Sequence, residues 1–168
     1  MNSNKAAFFD RDGTLIKDVH FLADIKDIHI IPHAVTIARL CQNYGYKLFV
    51  VTNQSGIARG KFEELFVQKT HAYLTDLFAD QGVRFEKFYY CPHHPTEAVI
   101  DVYKKDCLCR KPKPGMLLTA AQEYNLDLTQ SILFGDKERD LAAGRAVGCK
   151  SINITELFAL PLAQCVTL

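Results

Sequence analysis

A short apolar run, Ala6-Ala7-Phe8-Phe9, stops abruptly at Asp10-Arg11-Asp12-Gly13-Thr14. The run reads as a buried strand, and the two carboxylates then stand at its carboxyl end, where open α/β sheets bind their ligands. Gly13 allows the chain to turn directly after them. Taken alone, the pentapeptide fits either a reactive site or a solvated turn.

The rest of the chain alternates in the same style. Strands are expected at residues 6–9, 47–51, 85–90, 131–134 and 151–154, with helices at 34–43, 62–79, 115–124 and 141–147. Gly45, Gly82 and Gly148 stand as stop signals near three of the helix ends. Strands separated by helical segments predict an α/β fold, a three-layer, Rossmann-like, mostly parallel sheet with helices on both faces. Residues 14–32 and 91–114 are less patterned and are expected to form loops above the carboxyl edge of the sheet. No repeat or linker is visible, so residues 1–168 are read as one domain, and the short first loop leaves no room for a large cap domain.

Three more strand ends carry polar residues of a matching kind. At Thr52-Asn53-Gln54-Ser55-Gly56, the Thr52 hydroxyl and nearby N–H groups can receive phosphate oxygens, and Asn53 can orient a nucleophile or substrate. Arg59 either points into the site or is an ordinary surface arginine. At Gly135-Asp136-Lys137, Asp136 can complete a Mg²⁺ shell with Asp10 and the backbone carbonyl of Asp12, whereas Asp140 reads mainly as a helix cap. In Arg110-Lys111-Pro112-Lys113-Pro114, Lys111 can touch both Asp10 and phosphate, and Arg110 can grip a phosphate or a hydroxyl. Together these residues suit nucleophilic attack by Asp10 on phosphorus, with Asp12 as general acid and base.

Cys91, His93, Cys107 and Cys109 supply three thiolates and one imidazole, a set that suits structural Zn²⁺ and a zinc-stabilised loop at about residues 91–109. His94 is an adjacent alternative ligand, and redox pairing of Cys107 with Cys109 is the alternative chemistry. Cys41, Cys149 and Cys165 read as core or peripheral thiols. Because Arg110 follows Cys109 directly, a metal here would fix where the basic pair enters the site.

Composition removes several classes. Hydrophobic residues make up 48% of 168 residues, enough for a substantial core without a disulfide framework. A formal charge of +1, from 20 basic and 19 acidic residues, gives no electrostatic argument for nucleic acid or anionic membrane as a partner. No apolar run approaches membrane-spanning length. A cytoplasmic monomer acting on a small molecule is the expectation.

In order along the chain, FFDRDGTLI, VVTNQSGIARGKF, YYCPHHP, CLCRKPKPGML and FGDKERDLAAG resemble the haloacid dehalogenase superfamily and, within it, the D-glycero-D-manno-heptose 1,7-bisphosphate phosphatase family. The resemblance implies Asp10 as nucleophile, Asp12 as acid and base, and Thr52 and Asn53 as phosphate-positioning residues. It further implies Arg110 and Lys111 as substrate contacts, Asp136 as a Mg²⁺ ligand, and Zn²⁺ on Cys91, His93, Cys107 and Cys109. It implies a phosphorylated sugar as substrate, in a pathway toward lipopolysaccharide or glycoprotein heptose. Histidinol phosphate phosphatases are similar in both sites but usually lack the Ser-Gly-Ile-Ala-Arg-Gly pattern of residues 55–60, which favours a bisphosphate that Arg59 and Arg110 can hold. The chain departs from the heptose family at His20-Phe21, Pro32-His33 and Thr155-Glu156. A zinc-stabilised binding module without turnover is disfavoured, since a binder has no need of Asp10, Asp12, Lys111 and Asp136 together.

Overall fold

The computed structural model describes residues 4–161; Cys165 lies outside them. Among the described residues five strands, β1 (Ala6–Phe9), β2 (Lys47–Asn53), β3 (Phe85–Cys91), β4 (Ile132–Gly135) and β5 (Lys150–Asn153), form one sheet in the order β3-β2-β1-β4-β5. Every pairing is parallel. The helices are α1 (Pro32–Asn43), α2 (Glu64–Ala79), α3 (Gly115–Tyr124), α4 (Glu138–Arg145) and the short α5 (Ile154–Phe158).

Side-chain alternation along β1 explains the layers. Ala7 and Phe9 pack with Val50, with Ala34, Ile37 and Ala38 of α1 and with Leu74 and Phe78 of α2. Ala6 and Phe8 face the other way, against Phe49, Met116 and Leu117 of α3 and Ala143 of α4. With both faces covered, β1 has no polar position, which is why its sequence is a plain apolar run. The strand order reverses direction between β1 and β4, and such a switch point opens a crevice at the carboxyl edge. Asp10 N–H donates to Phe134 O at 2.9 Å, so the ends of β1 and β4 meet there.

Several boundaries differ from the sequence reading for physical reasons. β2 continues through Asn53, so Thr52 and Asn53 are strand residues held in register with Tyr90 and Cys91. Phe62 has helical spacing but lies before α2, where its ring fills the space beside Gly56; a Cβ there would come within 2.2 Å of it. α4 starts earlier than expected, at Glu138, where the Asp140 carboxylate accepts from Lys137 N–H and Asp140 N–H donates to Lys137 O. α5 was not anticipated; its first turn is capped by Asn153, whose side chain accepts from Thr155 N–H.

Candidate active site and metal cluster

The ends of β1, β2 and β4 and the segment before α3 converge on one cluster. Asp10 (4% exposed), Lys111 (3%) and Asp140 (0%) are all buried. Lys111 Nζ lies 2.7 Å from Asp10 Oδ1, 2.8 Å from Asp140 Oδ1 and 2.6 Å from Val51 O. Burial pushes the Asp10 carboxyl up to about 6 against the pull of Lys111, with Asp140 and Asp12 adding to the rise. Burial disfavours the Lys111 ammonium, but Asp10 and Asp140 outweigh it and hold its pKa above the ordinary lysine value.

Asp136 completes the cluster. Carboxylate oxygens of Asp10, Asp136 and Asp140 lie within 4.8 Å of one another. One Asp136 oxygen contacts Lys137 Nζ at 2.8 Å, while its Oδ1 is buried without a hydrogen-bond partner. Gathered carboxylates and an orphaned buried oxygen are the donor set a hard divalent cation takes, so the residues fit Mg²⁺. Gly13 makes this approach possible: its φ is +82°, and a Cβ would lie 2.4 Å from Asp136 Oδ2.

The lysine segment is positioned by Asn53. Asn53 Nδ2 donates to Lys111 O, and Lys111 N–H donates to Asn53 Oδ1, both at 3.0 Å. Both ends of the amide are therefore engaged by the Lys111 backbone, so Asn53 orients the lysine, and one Nδ2 hydrogen is left to donate into the cleft that Asn53 lines. Thr52 is 1% exposed. Its Oγ1 accepts from Gln54 Nε2 at 2.8 Å, which leaves its own hydrogen to donate.

Above the cluster lies a cleft of about 390 Å³ whose wall includes Asp12, Asn53, Arg59, Arg110, Lys137 and Arg139. Arg59 pairs with Glu97 and lies over the Phe21 ring, 5.7 Å from its centroid. His20 and Phe21, at the rim, both take left-handed backbone (φ 54° and 69°), a conformation that costs non-glycine residues energy. Arg110 Nη1 donates to His93 O at 3.1 Å, tying it to the cysteine loop.

Cys91, His93, Cys107 and Cys109 also meet. The distances are 3.7 Å for Cys91 Sγ to His93 Nδ1, 3.5 Å for Cys91 to Cys107, 3.5 Å for Cys109 to His93 and 3.2 Å for Cys109 to Cys107. These cysteines are free thiols, and the four ligand atoms all lie within 4.8 Å of one another, close enough to share one metal ion. Hydrogen bonds from Cys91 and Cys107, with His93, bring the Cys109 thiol down to about 5 against its burial. His94 is not part of this set; its Nδ1 accepts from the Thr96 and Glu97 N–H groups at 3.3 and 2.9 Å.

Two features escaped the sequence reading. Asp140 caps α4 by accepting from Lys137 N–H at 3.0 Å and also pairs with Lys111, so one carboxylate does both jobs. The second is His71 of α2, 6% exposed and 3.3 Å from Arg11 Nη1. Burial, then the Arg11 charge, lowers its pKa to about 3. Unfolded histidine protonates near pH 6.5 while the folded ring stays neutral, so stability is complete above that value and is lost as pH falls toward 3. The melting temperature of the protein is expected to fall more steeply between pH 7 and 5 than that of H71Q. Parallel melting curves against pH would contradict this.

Comparison with known proteins extends the picture. Residues 108–156 match the HAD-hydrolase-like family. The chain is 46% identical over 144 residues to a D-glycero-beta-D-manno-heptose-1,7-bisphosphate 7-phosphatase of Vibrio cholerae, covering 85% of this chain and 76% of that protein. It is 38% identical over 151 residues to a D-glycero-alpha-D-manno-heptose-1,7-bisphosphate 7-phosphatase of Photorhabdus laumondii, covering 88% and 80%. A D,D-heptose 1,7-bisphosphate phosphatase from B. bronchiseptica, solved with magnesium and phosphate, superposes with a TM-score of 0.75 at 33% identity, covering 88% of this chain and 78% of that one.

Proposed function

The chain belongs to the D-glycero-D-manno-heptose-1,7-bisphosphate 7-phosphatase family of the haloacid dehalogenase superfamily, and from that premise we propose how its residues divide the work. It is an enzyme that removes the 7-phosphate of heptose 1,7-bisphosphate in a Mg²⁺-dependent reaction through an aspartyl phosphate. The observation that carries the assignment of roles is the buried Asp10, 2.7 Å from Lys111 Nζ at the switch point of the sheet.

Asp10 attacks the phosphorus of the 7-phosphate, and the bond to the C7 oxygen breaks. Asp12 gives its proton to that oxygen, so heptose 1-phosphate leaves as an alcohol. Water then attacks the phosphorus of the aspartyl phosphate while Asp12 takes a proton from it, which frees inorganic phosphate and restores the Asp10 carboxylate. Lys111 offsets charge on the phosphoryl oxygens, the Thr52 hydroxyl and loop N–H groups donate to them, and Asn53 keeps Lys111 in place. Asp10 and Asp136 side chains and the Asp12 carbonyl would hold Mg²⁺, with Asp140 behind them. When bound, Mg²⁺ neutralises the phosphate and allows two anions to approach. Arg59 and Arg110 receive the second phosphate at the far wall of the cleft.

The β-anomer is the preferred substrate in this reading, which the greater identity to the V. cholerae relative named for the β-anomer supports. Catalytic efficiencies for the two anomers, histidinol phosphate and fructose 1,6-bisphosphate test it. The β-heptose ester is expected to lead, and preference for histidinol phosphate would overturn the substrate. One chain supplies every residue invoked, so a monomer suffices. The free thiols among the described residues suit the reducing cytoplasm.

Zn²⁺ on the four-residue cluster is the companion proposal, a closed site without room for substrate. It would anchor the loop from which Arg110 reaches the cleft. The purified protein is expected to carry about one equivalent of zinc by elemental analysis. C109S is expected to lose the metal, melt several degrees lower and bind the bisphosphate more weakly. A folded, active protein with only traces of zinc would sink this assignment.

A further inference from the structure

Arg11, between the two aspartates, is only 2% exposed and is among the largest fully buried side chains among the described residues. A buried guanidinium must find an acceptor for the N–H groups it carries. Its Nε and Nη2 lie 3.0–3.2 Å from both carboxylate oxygens of Asp12. Nη2 also donates to Gln54 Oε1 at 2.9 Å, and Nη1 lies 3.3 Å from His71 Nε2. Gln54 closes the ring, its Nε2 donating to Asp12 Oδ2 at 2.9 Å. Since a guanidinium only donates, His71 must accept through Nε2, so its ring is neutral. Phe88 and Tyr90 pack against that ring, with centroids 4.9 and 5.5 Å away.

We propose that Arg11, seated on His71 and Gln54, is a positioning residue that fixes the direction in which Asp12 presents its proton to the leaving oxygen. The inference rests on the reading of Asp12 as acid and base. The Asp12 side chain is 25% exposed and faces an open cleft. A short carboxylate there would otherwise turn among rotamers, and general acid catalysis is sensitive to small misplacements. The guanidinium fork removes that freedom. Oδ2 takes one donor more than Oδ1, the amide of Gln54, so Oδ1 is the less engaged of the two oxygens. Arg11 lies at the base of the cleft with only 2% exposure, and its N–H groups are engaged by Asp12, Gln54 and His71, so it acts through Asp12.

A buried cation that merely supported the fold would, on removal, disturb Asp10 and the phosphate cradle together and slow every substrate alike. A positioner of the acid acts only where the leaving group needs a proton. Rapid-quench measurement of phosphoenzyme formation, with Mg²⁺ present, separates the two by comparing heptose 1,7-bisphosphate with p-nitrophenyl phosphate, whose phenolate leaves unaided. R11M is expected to slow formation from the sugar ester by about 30-fold, but less than about threefold from the aryl ester, with KM for the sugar little changed. H71L, which removes the acceptor behind Arg11, is expected to repeat the pattern more weakly, and H71Q, which restores an acceptor, to recover most of the rate. This pair also carries the test if R11M does not fold. Equal slowing of both esters, or no slowing of the sugar ester in R11M or H71L, would overturn the proposal. Failure to trap any phosphoenzyme in the unmodified protein would instead overturn the covalent mechanism, and the positioning role with it.

Discussion

D10N is expected to hydrolyse heptose 1,7-bisphosphate at least about a thousandfold more slowly than the parent protein and to form no phosphoenzyme. The amide keeps the shape of the side chain but supplies no anionic oxygen to attack phosphorus. The same change is expected to leave the melting temperature at neutral pH equal or higher. Burial holds the Asp10 carboxyl above its ordinary value, at about 6, so ionising it in the folded state opposes stability near pH 7. A substitution that removes turnover while sparing or raising stability marks a group kept for chemistry rather than for folding. Steady-state phosphate release and thermal melting on one preparation check both halves. Retention of a tenth of the activity would reject Asp10 as nucleophile.

K111M is expected to fail in the opposite manner, losing activity and stability together. Its ammonium lies between Asp10 and Asp140, both buried, and also bonds to Val51 O. Removing the cation leaves two carboxylates facing each other without compensation, a loss of about 3–5 kcal/mol, and phosphoryl transfer loses its neutralising charge, for about a thousandfold in rate. Adding D140N should return part of the stability, because one uncompensated charge is gone, and none of the activity. Denaturant unfolding and kinetics on the single and double variants measure this. A K111M protein as stable as its parent would show that the buried triad is not held as described.

How much of this was legible before the structure depended on whether the signal was local. The strands were readable because burial on both faces leaves continuous apolar runs, as in residues 6–9. The start of α4 was misplaced because Lys137 is not among the residue types that usually mark a helix start; the cap lies in its backbone N–H, held by the Asp140 carboxylate. Phe62 has the spacing of a helical residue, yet a neighbouring glycine gives its ring a better place.

The site divides in the same way. Asp10, Asp12, Lys111 and Asp136 stood out because each follows a strand or sits in a distinctive basic run. The cysteine cluster stood out because thiolates paired with imidazole have few other uses. Asn53 reads from the sequence as a residue that positions phosphate; its amide also holds the Lys111 backbone, 58 residues away, and no local pattern encodes that. Asp140 was read as a cap, which it is, while its ion pair with Lys111 depends on the packing of β4 against β1. Arg11, Gln54 and His71 meet only when α2 folds against the sheet, so nothing local in the sequence marks a role for Arg11.

In the proposed mechanism Asp10 takes the phosphoryl group specifically from the 7-position. The most direct test of this step is a single-turnover reaction with β-heptose 1,7-bisphosphate labelled only in the 7-phosphate, quenched in acid and mapped by peptide mass analysis. Transient label is expected on the peptide carrying Asp10, followed by labelled inorganic phosphate and unlabelled heptose 1-phosphate. Label retained in the sugar product, or carried by another residue, would contradict it.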